Sequence, residues 1–174
     1  MITMIAATSI EGIIGVRGSH SLLWKSKVDL DLFKEATMGQ TLVVGHNTFK
    51  SLKGKELKGR KLVVLSKDEK PRQENNVTFT NSVSDIIKNY ESFVVIGGES
   101  LYNLFMPVTD EVLLSTLNLT VEGDEDYAYF PIEAMEKDFY LSTQSDTIPD
   151  EDKRSNQPIS LIVSRWHRKI NEVH

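Results

Sequence analysis

One stretch decides the fold: residues 93–102 read Phe93-Val94-Val95-Ile96-Gly97-Gly98-Glu99-Ser100-Leu101-Tyr102. Four apolar residues in a row are typical of a short strand that is buried on both faces. Two glycines follow, which indicates a sharp turn or a close approach to the backbone. Residues 100–105 have helical spacing and end before a proline, so they predict a short helix. Such a helix start favours an anion such as phosphate, and a plain strand-to-helix turn is the open alternative.

A second strand–glycine–helix junction occurs earlier in the chain. Residues 41–44 predict a buried strand, Gly45 follows, and a helix begins at Asn47 or Thr48 and ends near Leu52. This junction is a second potential phosphate-binding turn. Two such junctions in one small chain favour phosphate binding more strongly than either does alone.

The composition indicates one globular domain over residues 1–174. Hydrophobic residues make up 40% of the chain and charged residues 26%, and the longest apolar runs are far shorter than a membrane span. The absence of cysteine excludes disulfides and thiolate metal sites and fits a cytoplasmic location. The four histidines form no metal-ligand pattern, so we expect no metal. The net charge of −5 argues against nucleic-acid binding.

The positive charge is concentrated between residues 46 and 72, where nine Lys or Arg accompany three Asp or Glu. A small anionic ligand would explain this segment, and a solvated basic loop is the alternative. Within it, Arg60 precedes a strand predicted at residues 62–65 and is a candidate partner for a ligand carboxylate, unless it is simply exposed. Ser66 and Lys67 follow that strand, at the edge where open α/β sheets bind ligands.

Asp29 is the candidate acid of the chain. Residues 26–36 predict the first helix, and Ser26 with Asp29 fits a capping box in which the carboxylate reaches back to the N-cap. The functional interpretation is different. Asp29 lies among Trp24, Leu30 and Phe33, so it would be a lone carboxylate in an apolar pocket, where desolvation raises the pKa toward neutrality.

The remaining segments complete an α/β pattern. Strands are predicted at 2–7, 13–15 and 77–79 and a helix at 82–89, while residues 16–23 form either a mobile lid or a plain surface loop. After residue 105, strands without intervening helices are predicted at 112–121, 140–145 and 159–166, which indicates antiparallel strands added to a parallel core. The acidic segments 122–126 and 146–156 are predicted to be solvated surface.

The order of these pieces resembles the dihydrofolate reductase family over nearly the whole chain, residues 1–168. The matching pieces are Ile5-Ala6-Ala7, Ile14-Gly15, Trp24, Asp29-Leu30, Phe33-Lys34, Gly45 with Thr48, Leu57-Lys58-Gly59-Arg60, Leu65-Ser66, Ile96-Gly97-Gly98 with Tyr102, Val121-Glu122-Gly123-Asp124 and Phe130-Pro131. The resemblance implies a single-domain α/β fold. Its twisted sheet would have eight mostly parallel strands, an antiparallel C-terminal strand and about four helices.

The resemblance also implies an activity, the NADPH-dependent reduction of 7,8-dihydrofolate to 5,6,7,8-tetrahydrofolate in one-carbon metabolism. The enzyme would be a cytoplasmic monomer, inhibited by antifolates, in which Asp29 assists protonation of the pterin and Trp24 and Ser115 are linked to that acid. The implied substrate-binding residues are Ile5, Ala6, Ala7, Leu30, Phe33, Lys34, Leu52, Leu57, Arg60, Ile96 and Tyr102. The implied cofactor-binding residues are Ala7, Ile14, Gly15, Gly45, His46, Asn47, Thr48, Leu65, Ser66, Lys67, Gly97, Gly98, Glu99, Ser100, Leu101 and Tyr102, with a cis peptide between the paired glycines.

The chain departs from the family pattern at several positions. Leu23 replaces the common proline before the site tryptophan, and Ser115 replaces a threonine. His46 and Ser100 stand where basic residues are usual, so preference for NADPH would depend on Ser66, Lys67 and His46. The alternatives are a related pyrimidine or pterin reductase and an inactive homologue that only binds ligand. Asp29, Phe33 and Arg60 together favour folate, because Arg60 has a purpose only if the substrate carries a carboxylate tail.

Overall fold

The computed structural model describes residues 1–19, 22–52 and 57–171, and a mixed sheet is its central element. The strands are β1 (Ile2–Thr8), β2 (Ile13–Val16), β3 (Thr41–Gly45), β4 (Lys61–Leu65), β5 (Arg72–Glu74), β6 (Val77–Thr80), β7 (Phe93–Val95), β8 (Glu111–Leu117), β9 (Tyr127–Tyr129), β10 (Phe139–Gln144), β11 (Ile148–Asp152) and β12 (Gln157–Arg168). The helices are α1 (Lys27–Thr37), α2 (His46–Ser51), α3 (Val83–Asn89), α4 (Glu99–Phe105) and α5 (Ile132–Asp138), and a 3₁₀ helix, Met106–Val108, follows α4.

The main sheet has a parallel centre and antiparallel edges. Its strand order is β10-β12-β8-β1-β7-β3-β4-β6-β5, and β11 also pairs with β12. The six strands from β8 to β6 run parallel, whereas β12, β10, β11 and β5 pair antiparallel. A separate two-stranded sheet joins β2 to β9. No helix in the described ranges is long and apolar enough to span a membrane.

The central strands are apolar throughout because helices cover both of their faces. On one face, Val43, Val63 and Val95 pack with the inner residues of α3, α4 and α5, which are Ile86, Leu101, Phe105 and Met135. On the other face, a second cluster is Leu42, Val44, Leu62, Val64 and Val94, against which Phe33 of α1 and Phe49 of α2 pack. Alternate residues of each strand therefore pack against the helices on opposite faces of the sheet.

The predicted fold class is confirmed, with differences in element number. In the described part of the chain, the main sheet has ten strands rather than eight, and there are five helices rather than about four. β8 ends at Leu117, four residues earlier than predicted. Residues 146–156 are mostly exposed, as predicted, but they do not form only a loop, because β11 lies there and Asp152 is buried. Backbone pairing with β12 orders this polar segment despite its acidic composition.

Candidate active site

The two glycine turns lie side by side at the carboxyl ends of neighbouring parallel strands. Val43 of β3 is the register partner of Val95 of β7. Gly45 and Gly97, each two residues further along, are therefore neighbours. The Gly45 N–H donates a hydrogen bond of 2.8 Å to the Gly97 carbonyl. The Gly97–Gly98 peptide is cis, as the resemblance implies. The two turns therefore form one continuous backbone surface.

An added side chain would be crowded at the paired glycines of this surface, Gly97 and Gly98. A Cβ on Gly98 would lie 3.0 Å from Thr48 Oγ1, and a Cβ on Gly97 would lie 3.2 Å from the Tyr102 hydroxyl. Gly97 also has a φ of +124°, a conformation that residues with a Cβ rarely adopt. A Cβ on Gly15, by contrast, would meet nothing within 4 Å. The bare backbone at the joined turns leaves room for a ligand to approach its N–H groups closely.

Asp29 lies in the first turn of α1. Ser26 is the N-cap, and its Oγ accepts a 3.0 Å hydrogen bond from the Asp29 N–H. Among the described residues, no group donates a hydrogen bond to the Asp29 carboxylate, so the return contact predicted for a capping box is not formed. The capping role thus belongs to Ser26 and leaves the Asp29 carboxylate available for other contacts.

The surroundings of Asp29 favour its protonated form. Burial raises the pKa of this carboxyl to about 6, and the negative charge of Asp150 on β11 adds to the effect. Tyr102 is also buried, and its own pKa is raised by burial and by the nearby Asp29. Its hydroxyl donates a 2.8 Å hydrogen bond to the Ile5 carbonyl of β1. Asp29 can therefore bind and release a proton close to neutral pH.

Most of the predicted substrate residues lie on the α1 side of the sheet. Five of them belong to or pack against one apolar cluster: Ile5, Phe33, Leu52, Leu57 and Ile96. Ala7 packs with Trp24, which is 9% exposed, and Ala7 is also the β1 partner of the buried Ser115 on β8. Leu30 is 48% exposed and Lys34 is exposed as well. Ala6 is buried in the cluster on the opposite face.

Arg60 is buried, so the alternative of an exposed surface arginine is wrong. Its Nη1 donates a 3.1 Å hydrogen bond to Thr37 Oγ1 at the end of α1, and its guanidinium lies 5.9 Å from the centre of the Phe33 ring. Burial lowers the pKa of this guanidinium. These contacts fix its charge beside the apolar cluster.

His46 and Ser66 are in contact next to the joined glycine turns, and Lys67 follows Ser66 in the chain. His46 Nδ1 lies 3.2 Å from Ser66 Oγ. The same oxygen accepts hydrogen bonds from the backbone N–H groups of Asp68 and Glu69. Lys67 is exposed. Sequence reasoning missed Glu69, whose carboxylate lies 3.5 Å from His46 Nε2 and 2.7 Å from the Arg72 guanidinium. The basic residues Lys53 and Lys55 of the same segment lie outside the described residues.

The Glu99 carboxylate accepts hydrogen bonds from residues that are distant in the sequence on both sides. Arg17 donates two hydrogen bonds to it, of 2.8 and 3.1 Å, and the Tyr129 N–H donates one of 2.6 Å. The Arg17 guanidinium also pairs with Asp126. Hydrogen bonding from Arg17 holds the pKa of Glu99 below its usual range. Arg17 belongs to the segment 16–23, predicted to be either a lid or a surface loop, and it bonds this segment to the first residue of α4, directly after the glycine pair. Residues 20 and 21 of the segment lie outside the described part.

The other predicted cofactor residues surround the joined turns. Ile14 and Leu65 are half-buried and pack against the core, and Leu101 is buried within it. Asn47 and Ser100 are exposed. Among the residues described, no group of three or more acidic or histidine side chains converges as metal ligands.

Comparisons with known proteins by family model, by sequence and by structure all find similarity to the same family. A family model described as dihydrofolate reductase matches residues 1–165. The dihydrofolate reductase of Neisseria meningitidis is 30% identical over 132 residues, which is 75% of this chain and 78% of that protein. Dihydrofolate reductase type 1 of Escherichia coli is 30% identical over 134 residues, 75% of this chain and 81% of that protein. A solved structure of Enterococcus faecalis dihydrofolate reductase complexed with NADP(H) and RAB-propyl superposes with a TM-score of 0.79 at 27% identity, covering 98% of this chain and 97% of that one.

Proposed function

The chain belongs to the dihydrofolate reductase family, and on that premise we propose that it reduces 7,8-dihydrofolate to 5,6,7,8-tetrahydrofolate with NADPH, Asp29 assisting protonation of the pterin. One observation carries the assignment of the acid. Asp29 is a carboxyl group with a pKa raised to about 6, on the side of the sheet where the apolar cluster with Phe33 lies. A second carboxylate is not needed for this chemistry, because only one proton is added beside the hydride.

The joined glycine turns fit the phosphates of a dinucleotide. Bare backbone at Gly45, Gly97 and Gly98 would let the pyrophosphate reach N–H groups, and the hydroxyl of Thr48 lies at the same place. Glu99 does not oppose an anion there, because Arg17 offsets its charge. The solved relative that carries NADP(H) supports the same cofactor. NADPH, when bound, supplies the hydride.

Selection of NADPH over NADH requires positive charge near the 2′-phosphate. We propose that Lys67 supplies it and that His46 and Ser66 are hydrogen-bond partners of the phosphate. His46 and Ser66 are in contact next to the glycine turns, and Lys67 follows Ser66 in the chain. The Glu69 carboxylate lies 3.5 Å from His46 Nε2 and would compete with that phosphate for contact with the imidazole. Ala7, Ile14 and Gly15 would border the nicotinamide end of the same groove, with Asn47, Leu65, Ser100, Leu101 and Tyr102 along its walls.

The substrate would lie between α1 and the sheet. Trp24, Ala7 and Phe33 provide apolar walls that exclude water, which strengthens the contact between the pterin and Asp29. The buried guanidinium of Arg60, oriented by Thr37 and adjacent to Phe33, is suited to the α-carboxylate of the substrate's glutamate tail. Leu30, Lys34, Leu52 and Leu57 would border the part of the substrate between the pterin and that tail.

The protein's contribution to the reaction is a positioned proton and a dry site. With a pKa of about 6, roughly one-tenth of Asp29 is protonated at pH 7. When ionised, its carboxylate can accept hydrogen bonds from the pterin amino group and ring N–H, which stabilises the protonated substrate. Protonation makes the neighbouring carbon a better hydride acceptor. Ser115, the buried partner of Ala7 on the neighbouring strand, is proposed to orient the ring through its hydroxyl.

We further propose that the protein acts as a cytoplasmic monomer and binds antifolates. All the proposed site residues belong to one copy of the chain, so a second copy is not needed to complete the site. A cationic pterin analogue would pair with the ionised Asp29 as the protonated substrate does.

The activity is tested by following the loss of NADPH absorbance with and without dihydrofolate. We expect oxidation that requires both compounds, and a loss of about 10²–10⁴-fold in turnover for Asp29→Asn, the range for a positioned proton-transfer group. The matched control is Asp31→Asn, an exposed acid on the same helix, which should leave the rate unchanged. Oxidation with a pyrimidine or unconjugated pterin but not with dihydrofolate would overturn the substrate assignment.

A further inference from the structure

The hairpin formed by β11 and β12 contacts the start of the helix that carries Asp29. Asp150 of β11 accepts two hydrogen bonds at one carboxylate oxygen, one of 2.5 Å from Ser26 Oγ and one of 3.2 Å from the Val28 N–H. These donors belong to the N-cap and the first turn of α1. Although 122 residues separate Asp150 from Val28 in sequence, this acid therefore acts as part of the cap of α1.

Ser26 connects the two acids. Its hydroxyl donates to Asp150 and accepts from the Asp29 N–H at 3.0 Å, so its orientation is set by both. Ser26 is 2% exposed, which keeps water out of this connection. A chain of hydrogen bonds thus runs from the Asp150 carboxylate through one buried hydroxyl to the backbone of Asp29.

A neighbouring acid, Asp152, also anchors the hairpin: its backbone pairs with Ser26 in an isolated β-bridge, but its carboxylate bonds to other groups. Asp152 Oδ1 accepts a 2.9 Å hydrogen bond from the Lys25 N–H, and the Lys153 N–H donates to the Lys25 carbonyl. Asp152 also accepts from the Arg154 N–H and from Ser155 Oγ. Its carboxylate therefore holds the hairpin against Lys25, which precedes α1, rather than against the turn that carries Asp29.

Few other charges act on Asp29. Of the titratable groups that the structure describes, Asp150 and the Tyr102 phenol are the ones that interact with it electrostatically. β1 carries no ionisable side chain, and the one on β8, Glu111, pairs with Arg165. Lys27, which pairs with Asp31, and Lys153 act on Asp150 rather than on Asp29. Asp150 is thus the negative charge that acts on the catalytic acid.

We propose that Asp150 is a positioning residue for the reaction: through Ser26 it fixes the first turn of α1, and its negative charge biases Asp29 toward the proton-bound form. This inference rests on the proposed role of Asp29. The pKa values of the two acids are shifted in opposite directions. Burial works against ionisation of Asp150, but the hydrogen bonds from Ser26 and from the backbone of Glu151 and Val28 outweigh it and lower its pKa. Acids whose pKa values are driven apart in this way take separate roles.

The test is a carboxyl-carbon NMR titration of Asp29 in the ligand-free protein, which needs neither substrate nor turnover. Asp150→Asn keeps an oxygen acceptor for Ser26 and removes the charge, so the pKa of Asp29 should fall. A fall of about half a unit lowers the protonated fraction roughly threefold at pH 7. Asp152→Asn, which disturbs the same hairpin, is the matched control and should leave the pKa of Asp29 unchanged. Asp150→Ser offers the same comparison if the asparagine variant does not fold.

The rate should follow the titration. In Asp150→Asn, turnover should fall relative to the native protein above pH 6 and recover as the pH is lowered, while the KM for NADPH stays constant. An unchanged Asp29 pKa in Asp150→Asn, or an equal shift in Asp152→Asn, would overturn the inference. Because the titration is independent of activity, an inactive protein that still shows the Asp150-dependent shift would refute the proposed function and leave the coupling of the two acids intact.

Discussion

Replacing Asp29 by asparagine should stabilise the folded protein at neutral pH while it inactivates the enzyme. The pKa of Asp29 is about 6 in the folded state against an ordinary 3.8, and each unit corresponds to about 1.36 kcal/mol. The ionised carboxylate therefore lowers the free energy of unfolding by up to about 3 kcal/mol. Asparagine carries no charge, and the carboxylate that it replaces has no hydrogen-bond donor among the described residues.

The size of this stability difference depends on pH. Because the folded state raises the pKa, the stabilisation from the bound proton is complete below pH 4 and is lost as the pH rises through 6. The variant and the native protein should therefore be equally stable near pH 4. Their difference should grow to about 3 kcal/mol by pH 7.5, which corresponds to roughly 6–12 °C in Tm for a chain of this length.

The assay is urea unfolding of both proteins at half-unit steps from pH 4.5 to 8. The difference between them isolates Asp29, because every other titrating group is common to both. Asp31→Asn, which changes an exposed acid two residues further along α1, serves as the control and should show no such trend. A variant that is less stable at pH 7.5, or a difference that does not change with pH, would refute the reasoning.

Three further substitutions test the ligand groups. Gly98→Ala should weaken NADPH binding about tenfold or more by equilibrium titration, because the added methyl meets Thr48 Oγ1 at 3.0 Å. An unchanged affinity for NADPH would contradict the turn assignment. Arg60→Ala should raise the KM for dihydrofolate about 10–100-fold by losing a charge-assisted pair and spare the KM for NADPH, whereas an unaltered KM for dihydrofolate would remove Arg60 from the site. Lys67→Ala should narrow the preference for NADPH over NADH in steady-state rates, and an unchanged ratio would exclude a 2′-phosphate contact.

The parts of the fold that could be predicted are those with strong local signals. Doubly buried strands such as Leu42–Val44 and Val94–Val95 are continuous apolar runs, and a glycine pair directly after one of them marks the turn. The same signals located both glycine turns. That Gly45 donates directly to Gly97 depends on β3 and β7 being neighbours in the sheet, and only the assembled strand order reveals that contact.

The elements that escaped prediction are polar or depend on distant partners. α5 has seven residues and buries only Met135 among them, so its apolar periodicity is weak. β11 has an acidic composition and is ordered by pairing with β12 and by donors at the start of α1. The pair between Arg17 and Glu99 joins residues 82 positions apart, and no spacing rule indicates such a partner.

The most direct test of the account is the pH dependence of the single-turnover rate of dihydrofolate reduction in the native protein and in Asp29→Asn. With the Asp29 pKa at about 6, the native rate should be constant at low pH and fall about tenfold for each unit above that value. The variant should be slow throughout and lack this titration. A native rate that does not change between pH 5 and 9, or a variant that keeps the native profile, would contradict the assignment of Asp29 as the acid.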